Sequence, residues 1–253
     1  MVKTVLITGA TSGIGKATAR ELSATGRYRL ILTGRRTERL EELKDELTRS
    51  GNTDVHVFAF DIRDLSACKA FWDNLPDGLR QVDVLINNAG LAKGLNEIHE
   101  GSFEHWEQMI DTNIKGLLYM TRLISPGMVE RRQGHIINLG STAGKETYPN
   151  GNVYCATKFA VNALTKAMRV ELYDKNIRVT TVDPGMVETE FSLVRFDGDE
   201  ERAKNVYKGM TPLSPADIAD TIIFCATRPA HVNISEVVIY PSDQANTTTV
   251  KRS

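Results

Sequence analysis

The chain has 253 residues, of which 41% are hydrophobic and 25% charged, and this size fits one large domain with a full-sized core. A formal net charge of -1 and a pI near 6.5 provide no basic surface for nucleic acid or anionic lipid, so we expect neither partner. No apolar run approaches the length needed to cross a bilayer, so we also expect no membrane span.

Short β-branched runs alternate with longer helical patterns along the whole chain. The predicted strands are residues 4–8, 28–33, 55–60, 82–88, 134–140, 177–182 and 235–240. Most of these runs are apolar throughout, as expected for parallel strands that are covered on both faces. The pattern predicts an α/β fold: a single doubly wound (Rossmann) domain over residues 1–253, with a seven-stranded parallel sheet and helices on both faces.

Three further segments of the predicted domain are a long helix, an insertion and the C-terminal tail. One long helix is predicted through Trp106 and Met120. Residues 188–211 and the tail 243–253 fit neither a strand nor a helix of the alternating pattern. Because an insertion of this length in a compact domain is usually a lid or a binding loop, we predict a substrate lid at 188–211.

The first strand runs into "TGATSGIG", where Gly9, Gly13 and Gly15 precede a helix. Glycines let the backbone approach a pyrophosphate closely, and a helix N-terminus offers free N–H groups and the positive end of the helix dipole. The alternative is a plain strand-to-helix turn, but such a turn needs only one glycine. The loop therefore favours a dinucleotide site.

The second strand ends in "TGRR", and this ending bears on the choice of cofactor. In NAD sites an acid at this position holds the ribose 2′-hydroxyl, whereas here Gly34 takes its place and Arg35 and Arg36 follow. Guanidinium groups bind a 2′-phosphate with charge-assisted hydrogen bonds, so the sequence predicts NADP. The alternative is two solvated arginines at the start of a glutamate-rich helix.

Further polar residues follow other strands. Asp61 and Ile62 stand at the end of the third strand, and Asn87 to Gly90 at the end of the fourth. Ligands of open α/β sheets bind beyond the carboxyl ends of strands. In the second half of the chain Tyr154 precedes Lys158 by four residues, which places both side chains on one face of a helix.

In their order and separations, "TGATSGIG", "NNAG", Asn113, Ser141 and "YCATK" resemble the motifs of the short-chain dehydrogenase/reductase family, and "DPGMVET" resembles its motif after the sixth strand. The resemblance covers essentially the whole chain. It implies that Tyr154, Lys158, Ser141 and Asn113 are catalytic. With the residues above, the implied cofactor contacts are Thr8, Gly9, Thr11, Ser12, Gly13, Ile14, Gly15, Arg35, Arg36, Asp61, Ile62, Asn88, Ala89, Gly90, Tyr154, Lys158, Pro184, Gly185, Val187 and Thr189.

The chemistry of carbonyl reduction accounts for these residue types. The cofactor provides hydride, and Tyr154 would provide the proton. An ammonium group of Lys158 about 4 Å from the phenol contributes roughly 4 kcal/mol at an effective dielectric constant of about 20. We therefore expect Lys158 to lower the pKa of Tyr154 by up to about three units, toward neutrality.

Lys158 would also hold the nicotinamide ribose, and Ser141 would hydrogen-bond the substrate oxygen as charge develops. The resemblance alone assigns Asn113 to a water relay that feeds protons to the lysine. Each of these two residues also has a structural alternative. Ser141 could be a helix or loop cap, and Asn113 a polar residue inside an apolar helix with no further role.

The predicted lid contains one arginine among apolar side chains, Arg195. A guanidinium group there could bind a carboxylate or sulfonate near the reacting carbon. Tyr148 and Gln244 could add hydrogen bonds, and with Ser141 and Tyr154 they complete the predicted substrate residues. The alternative is that Arg195 pairs with Asp197 or Glu200 on the surface.

Segments such as "GRRTERLEELKDEL" and "TEFSLVRFDGD" resemble the branch of NADP-dependent 3-hydroxy acid (serine) dehydrogenases and sulfoacetaldehyde reductases. This resemblance implies the interconversion of a small 3-hydroxy acid or hydroxysulfonate and its carbonyl form, such as malonic semialdehyde or sulfoacetaldehyde. One alternative is a 3-oxoacyl thioester reductase, which would want a longer apolar channel and a basic docking face. Another is a non-catalytic NADP-binding sensor, which would not need all four catalytic residues.

The remaining features concern metal, assembly and location. The five histidines form no ligand-spaced cluster, so we expect no metal site. The long helix containing Trp106, Met109, Ile110, Leu117 and Leu118 is more apolar than one sheet surface requires, which predicts a homo-oligomer, a tetramer or a dimer. Three widely spaced cysteines and a glycine loop within ten residues of the N-terminus, which leaves no room for a signal peptide, predict buried thiols and a cytoplasmic location.

Overall fold

A parallel sheet forms the centre of the fold. The computed structural model describes residues 2–51 and 54–253, so residues 1, 52 and 53 of the predicted domain lie outside the described residues. The strands are β1 (Lys3–Thr8), β2 (Tyr28–Gly34), β3 (Val55–Ala59), β4 (Val84–Asn87), β5 (Gly134–Leu139), β6 (Ile177–Pro184) and β7 (Glu236–Ile239). They pair in parallel in the order β3-β2-β1-β4-β5-β6-β7. The predicted seven-stranded parallel sheet is confirmed.

Helices cover both faces of this sheet. They are α1 (Gly13–Ala24), α2 (Thr37–Ser50), α3 (Leu65–Asp73), α4 (Phe103–Ile110), α5 (Leu117–Arg131), α6 (Asn152–Leu172), α7 (Phe191–Arg195), α8 (Glu200–Asn205) and α9 (Pro215–Ala226). One hydrophobic core lies between the sheet and α1, α2 and α9, and a second between the sheet and α3, α5 and α6. The two-sided covering that the apolar strands predicted is therefore present.

The pleat of β1 shows why its sequence is apolar without a break. Val5 and Ile7 belong to the first core, whereas Leu6, between them, belongs to the second. All three side chains are buried. Because successive residues of a strand point to opposite faces, a strand with helices on both sides must be apolar at every position.

The strand order creates a crevice above the middle of the sheet. From β1 the chain proceeds to β2 and β3 on one side, and then returns to β4 on the other side of β1. Connections that leave in opposite directions open a cleft at the carboxyl ends of β1 and β4, which is where doubly wound sheets bind ligands. The glycine loop after β1 and the "NNAG" segment after β4 meet there.

The long helix through Trp106 and Met120 differs from a regular helix. Between α4 and α5 the chain stays helical, but residues Asp111–Gly116 form a π-helical turn. Asn113 lies in this turn and is buried. Single π turns inside helices are frequent at functional sites.

The segment predicted as a lid contains α7 and α8, so it is partly helical. The tail packs against the chain near this segment: the side-chain Oε1 of Gln244 accepts a hydrogen bond from the backbone N–H of Met186 at 2.8 Å. All three cysteines are buried. Across residues 2–51 and 54–253, no helix combines the length and the apolar character needed to cross a membrane.

Candidate active site

A cavity of about 450 Å³ lies above the carboxyl ends of the strands, under α7. Most of the predicted cofactor residues line it, and so do all five predicted substrate residues. Thr8, Gly15 and Asn113 are predicted site residues that are not part of its wall. The structure therefore brings together groups from six strand ends and the lid at one place.

The glycine loop is packed so tightly that only glycine fits. Gly9 adopts a left-handed φ of +67°, and a Cβ added there would stand 2.9 Å from the Cα of Ala89. A Cβ on Gly15 would stand 2.5 Å from Nδ2 of Asn88. The hydroxyl of Thr8 accepts hydrogen bonds from the backbone N–H groups of Asn88 and Ala89, at 3.1 and 3.0 Å. The loop and the segment after β4 thus form one rigid floor.

This floor fits the pyrophosphate of a dinucleotide. Ser12 precedes α1, and its side chain makes no hydrogen bond to the first N–H groups of that helix in the described structure. Ser12, Gly13 and Ile14 line the cavity, so the positive end of the α1 dipole faces it. A helix start of this kind after β1 is a ready site for phosphate.

The two predicted arginines line the far end of the cavity. Arg36 donates from Nε and Nη2 to the hydroxyl of Thr11, at 3.2 and 2.8 Å, and from Nη1 to Glu190 at 3.0 Å. A Cβ on Gly34 would stand 2.8 Å from Cγ2 of Thr11, so an acid does not fit at that position. These contacts suit a 2′-phosphate better than a 2′-hydroxyl.

Asp61 lines the same end of the cavity but is already paired. Nε of Arg63 donates to Oδ1 of Asp61 at 3.1 Å, and Nη2 of Arg63 donates to Oδ2 at 2.7 Å. Burial acts to raise the pKa of Asp61, yet the hydrogen bonds from Arg63 outweigh it and hold the pKa below its usual value. Asp61 therefore stays charged at neutral pH, and its role toward the cofactor stays a prediction.

Tyr154 and Lys158 lie one turn apart on α6, as the spacing predicted. Lys158 is buried, and its Nζ donates to the backbone carbonyl of Leu139 at 2.8 Å. Burial lowers the pKa of Lys158 to about 8, although the charge of Asp183 acts to raise it. This lysine therefore titrates close to neutral pH.

The expected effect of Lys158 on Tyr154 is wrong for the described residues. Burial raises the pKa of Tyr154, Tyr148 raises it further, and Arg195 and a hydrogen bond with Ser141 lower it only in part. Nζ of Lys158 lies 5.9 Å from the ring centroid of Tyr154, and its charge is not among the main causes of the shift. Desolvation of the phenolate is the larger effect here.

Ser141 is a cap, which is the structural role that the sequence left open, and its contact with a substrate oxygen stays a prediction. Its Oγ accepts a hydrogen bond from the backbone N–H of Ala143 at 3.1 Å, so it caps a short 3₁₀ turn. A hydrogen bond with Ser141 also acts to lower the pKa of Tyr154. The cap fixes the serine in the place where a substrate oxygen would meet it.

A buried acid behind Ser141 was not predicted. Asp183 accepts a hydrogen bond from the backbone N–H of Ser141 at 3.1 Å, and Lys145 lies 3.3 Å from its other oxygen. A Cβ on Gly140 would stand 1.7 Å from Oδ1 of Asp183, so the strand end is shaped around this carboxylate. The residue was visible in "DPGMVET", where an acid stands at the end of a strand that is buried along most of its length.

Asn113 ties the loop after β4 to α6. Its Oδ1 accepts from the backbone N–H of Leu91 at 2.9 Å, and its Nδ2 donates to the carbonyl of Leu91 and the hydroxyl of Thr157, at 2.9 and 3.0 Å. Both amide hydrogens are thus in use, and one lone pair of Oδ1 remains. A Cβ on Gly90 would stand 3.3 Å from this Oδ1 and 3.7 Å from Nζ of Lys158. Asn113 and Lys158 therefore both approach the same side of Gly90.

Arg195 reaches from the lid to the catalytic tyrosine. Its guanidinium carbon lies 5.1 Å from the ring centroid of Tyr154, and Nη2 donates to the hydroxyl of Tyr148 at 2.9 Å. The surface alternative is wrong: among the described residues Asp197 pairs with Lys93 and His105, and Glu200 pairs with Lys204. Arg195 is therefore part of the cavity.

Gln244 also lines the cavity, but its amide is engaged. Oε1 bonds to Met186, and Nε2 donates to the carbonyl of Asn246 at 3.1 Å. Its contact with a substrate stays a prediction. Sequence reasoning missed Glu190, which lines the cavity and pairs with Arg36, and Arg39, which pairs with Glu190 from α2. Within the described residues, no group of three or more His, Cys, Asp or Glu side chains could hold a metal ion.

Comparison with known proteins matches this chain over nearly its whole length. The family described as short chain dehydrogenase matches residues 3–199. A Salmonella typhi protein named NADP-dependent 3-hydroxy acid dehydrogenase YdfG is 50% identical over 242 residues, which cover 95% of this chain and 96% of that protein. A serine 3-dehydrogenase of Rhizobium radiobacter is 45% identical over 245 residues, covering 97% of this chain and 96% of that protein. A solved structure, the closed form of serine dehydrogenase complexed with NADP+, superposes with a TM-score of 0.92 at 45% identity and covers 99% of this chain and 100% of that one.

Proposed function

This chain belongs to the short chain dehydrogenase family, and from that premise we propose that it interconverts a small 3-hydroxy acid, of the serine or 3-hydroxypropionate type, and its carbonyl form. It is an NADP-dependent oxidoreductase of that family. The proposed substrate class is supported by two relatives whose names state a 3-hydroxy acid and serine.

The observation that carries the proposal is a cation beside Tyr154 with an unused donor. Nε of Arg195 is buried and has no hydrogen-bond partner in the described structure. Its guanidinium group also lies 5.0 Å from the ring centroid of Phe191, so apolar rings surround it. A buried donor without a partner is costly, and a carboxylate next to the reacting carbon would supply that partner. The pocket therefore favours a small anionic substrate over a neutral one.

The catalytic side chains are arranged for proton transfer, while bound NADPH supplies the hydride. Because its pKa is raised, Tyr154 is protonated at neutral pH and suited to give its phenolic proton to the substrate oxygen during reduction. Ser141 would stabilise the charge that develops on that oxygen. Lys158, with a pKa of about 8, can return a proton toward Tyr154 near neutral pH.

The space above Gly90 supports the predicted water relay. The free lone pair of Asn113 and the Nζ of Lys158 both lie next to it. A water molecule there would connect the two side chains and extend the proton path beyond the lysine. We propose that Asn113 anchors this water relay.

A sulfonate would use the same guanidinium group, so a hydroxysulfonate and sulfoacetaldehyde form the second candidate pair. The test is a panel assay: NADPH consumption with malonic semialdehyde, sulfoacetaldehyde, an acetoacetyl thioester and a neutral aldehyde, and NADP reduction with L-serine and 3-hydroxypropionate. We expect the small anions to be preferred. Turnover of the thioester alone would support the acyl reductase, and binding without any turnover would support the sensor.

Replacement of Arg195 tests the anion pocket. We expect Arg195→Ala to raise KM for malonic semialdehyde about tenfold to a hundredfold, because a charge-assisted hydrogen bond in a buried site is lost. KM for a neutral aldehyde should change far less. Arg202→Ala is the matched control, since Arg202 is also a lid arginine packed on an aromatic ring, that of Phe196 at 4.4 Å, but does not line the cavity.

Since Arg195 also touches Tyr154, the variant can slow every substrate equally. The excess loss on anionic substrates is the quantity that measures the pocket. Losses of the same size for malonic semialdehyde and the neutral aldehyde would remove Arg195 from substrate binding.

We also propose that the chain forms a homo-oligomer in the cytoplasm. Leu118 on α5, Phe159 and Val170 on α6, and Tyr173 directly after α6 are large apolar side chains that are exposed on the protomer. Of the other residues predicted for this surface, Met109 and Leu117 are buried inside the protomer instead. The free, buried thiols of all three cysteines are typical of proteins from reducing compartments.

A further inference from the structure

We propose that Glu190 is a specificity-determining residue for the cofactor: it occupies the arginines that receive the 2′-phosphate and exchanges with that phosphate when NADP or NADPH binds. The inference concerns the cofactor end of the cavity. It rests on the use of NADP and not on the identity of the substrate. It is carried by four side chains that meet at the rim, those of Thr11, Arg36, Arg39 and Glu190.

The first step is that Glu190 binds two arginines at once. Nη1 of Arg36 donates to its Oε2 at 3.0 Å, and Nη1 of Arg39 donates to Oε1 at 2.7 Å and to Oε2 at 3.0 Å. The partners are 154 and 151 residues away in the chain. One lid carboxylate therefore sits on the positive charge that is predicted to recognise the extra phosphate of NADP.

Neighbouring residues of the cavity fix the position of Arg36. Thr11, on the glycine loop, accepts two hydrogen bonds from Arg36 and so orients its guanidinium group. Gly34 leaves no room for an acid on β2. The only acid in contact with Arg36 among the described residues is thus Glu190, which enters from the lid side of the cavity. It stands where the acid of an NAD site would act, but on a different segment.

The ion pairs of Glu190 with Arg36 and Arg39 are weak enough for a phosphate to replace the carboxylate. The side chains of Arg36, Arg39 and Glu190 are 40%, 45% and 40% exposed. Half-exposed ion pairs contribute little to stability because water screens them. A phosphate monoester carries close to two negative charges and three acceptor oxygens, so it outcompetes a single carboxylate for two guanidinium groups.

The exchange has opposite consequences for the two cofactors. With NADPH, the carboxylate must leave the arginines or share them with a like-charged phosphate, which weakens binding. With NADH there is no phosphate to displace it, and the carboxylate can accept a hydrogen bond from the 2′-hydroxyl, as acids do in NAD sites. Glu190 therefore narrows the preference of the protein for NADPH over NADH.

Glu190→Gln tests this inference by cofactor binding alone, without substrate. The variant keeps the size of the side chain and removes its charge. We expect the ratio of the NADH Kd to the NADPH Kd to rise about threefold to tenfold, with tighter NADPH binding, measured by titration of cofactor fluorescence. Glu188→Gln is the matched control, because Glu188 is an exposed lid acid outside the cavity wall and its variant should leave the ratio unchanged.

Different results of this binding experiment lead to different conclusions about Glu190. An unchanged ratio, or weaker binding of NADPH to Glu190→Gln, would overturn the inference and leave Glu190 as a simple tie between the lid and α2. Glu190→Ala is a second variant that does not depend on how the glutamine side chain is placed. It should also raise the ratio of the NADH Kd to the NADPH Kd. If the wild-type protein fails to bind NADPH, the use of NADP itself fails, which is a different result from an unchanged ratio.

Discussion

Tyr154 is surrounded by groups that act on its phenol in opposite directions. Apolar neighbours and Tyr148 raise its pKa, whereas Arg195 and Ser141 lower it. Arg195 lies nearer to its ring than Lys158 does, at 5.1 Å against 5.9 Å. Of these two cations, the one nearer to the ring of Tyr154 therefore comes from the segment predicted as a lid.

Removal of the phenolic hydroxyl tests the role of Tyr154. We expect Tyr154→Phe to lower kcat by about a hundredfold to ten-thousandfold, the range of general acid catalysis. The measurement is NADPH consumption with malonic semialdehyde. NADPH binding, followed separately, should persist, because the glycine loop and the arginines remain. Full turnover of the variant would exclude Tyr154 as the proton donor.

The positions of the predicted catalytic residues follow from a spacing that is local or tied to strand ends. Tyr154 and Lys158 are four residues apart on one helix, and Ser141 follows a buried strand. Glu190 and Asp183 could not be predicted in their roles. Each acts through partners at least 38 residues away in the chain, here Arg36 for Glu190 and both Lys145 and Ser141 for Asp183. No local pattern encodes such contacts.

Among the secondary-structure elements, the strands show what the local sequence can predict. A strand covered on both faces is mostly apolar, so the apolar runs within β1, β4 and β5 allowed these strands to be predicted from the sequence. The π-helical turn at Asp111–Gly116 could not be predicted from the sequence in this way. Its buried Asn113 makes three hydrogen bonds to Leu91 and Thr157, which lie outside the helix. Tertiary contacts thus accompany the departure from a regular helix.

β5 also contains a buried histidine that links stability to pH. His135 is 1% exposed, and its Nε2 lies 2.7 Å from the hydroxyl of Thr180. That hydroxyl donates to the carbonyl of Ile234, so Nε2 of His135 is the donor in this pair. Burial, with the charges of Arg178 and Lys3, lowers the pKa of His135 to about 3.

Between about pH 6.5 and pH 3 the unfolded chain therefore binds a proton at this position that the folded chain does not. The free energy of unfolding should fall as the pH drops through this window, with His135 contributing up to roughly 1.4 kcal/mol per pH unit. We expect His135→Gln, which keeps a donor near the Nε2 position, to reduce this slope. Urea unfolding at several pH values measures it, and equal slopes for both proteins would contradict the assignment.

For the molecule as a whole, α7 is flanked by ion pairs on both sides. Glu190 binds Arg36 and Arg39 before α7, and Asp197 pairs with Lys93 and His105 after it. Arg195 lies between these two ion-paired positions. The length of the insertion predicts a lid, and that role stays a prediction. The attachment of this segment depends on charges that only the complete fold brings together.

The exposed apolar residues of α5 and α6 predict the assembly in solution. We expect a mass two or four times the 28.1 kDa of one chain by light scattering at micromolar concentration. Phe159→Glu combined with Val170→Glu should lower this mass, because charges would then lie in an apolar interface. Val2→Glu serves as the control, since Val2 is an exposed apolar residue that precedes β1. A monomeric mass of the wild type would remove the proposal.

The burial of the three cysteines has a practical use. Burial raises the pKa of Cys68 and Cys225 to about 11, and it also raises the pKa of Cys155, so little thiolate is present at neutral pH. Alkylating dyes attack the thiolate and would find little to react with in the native protein. A single Glu188→Cys change on the exposed side of the lid would then accept a fluorophore selectively, and movements of that segment could be watched in real time in otherwise unaltered enzyme.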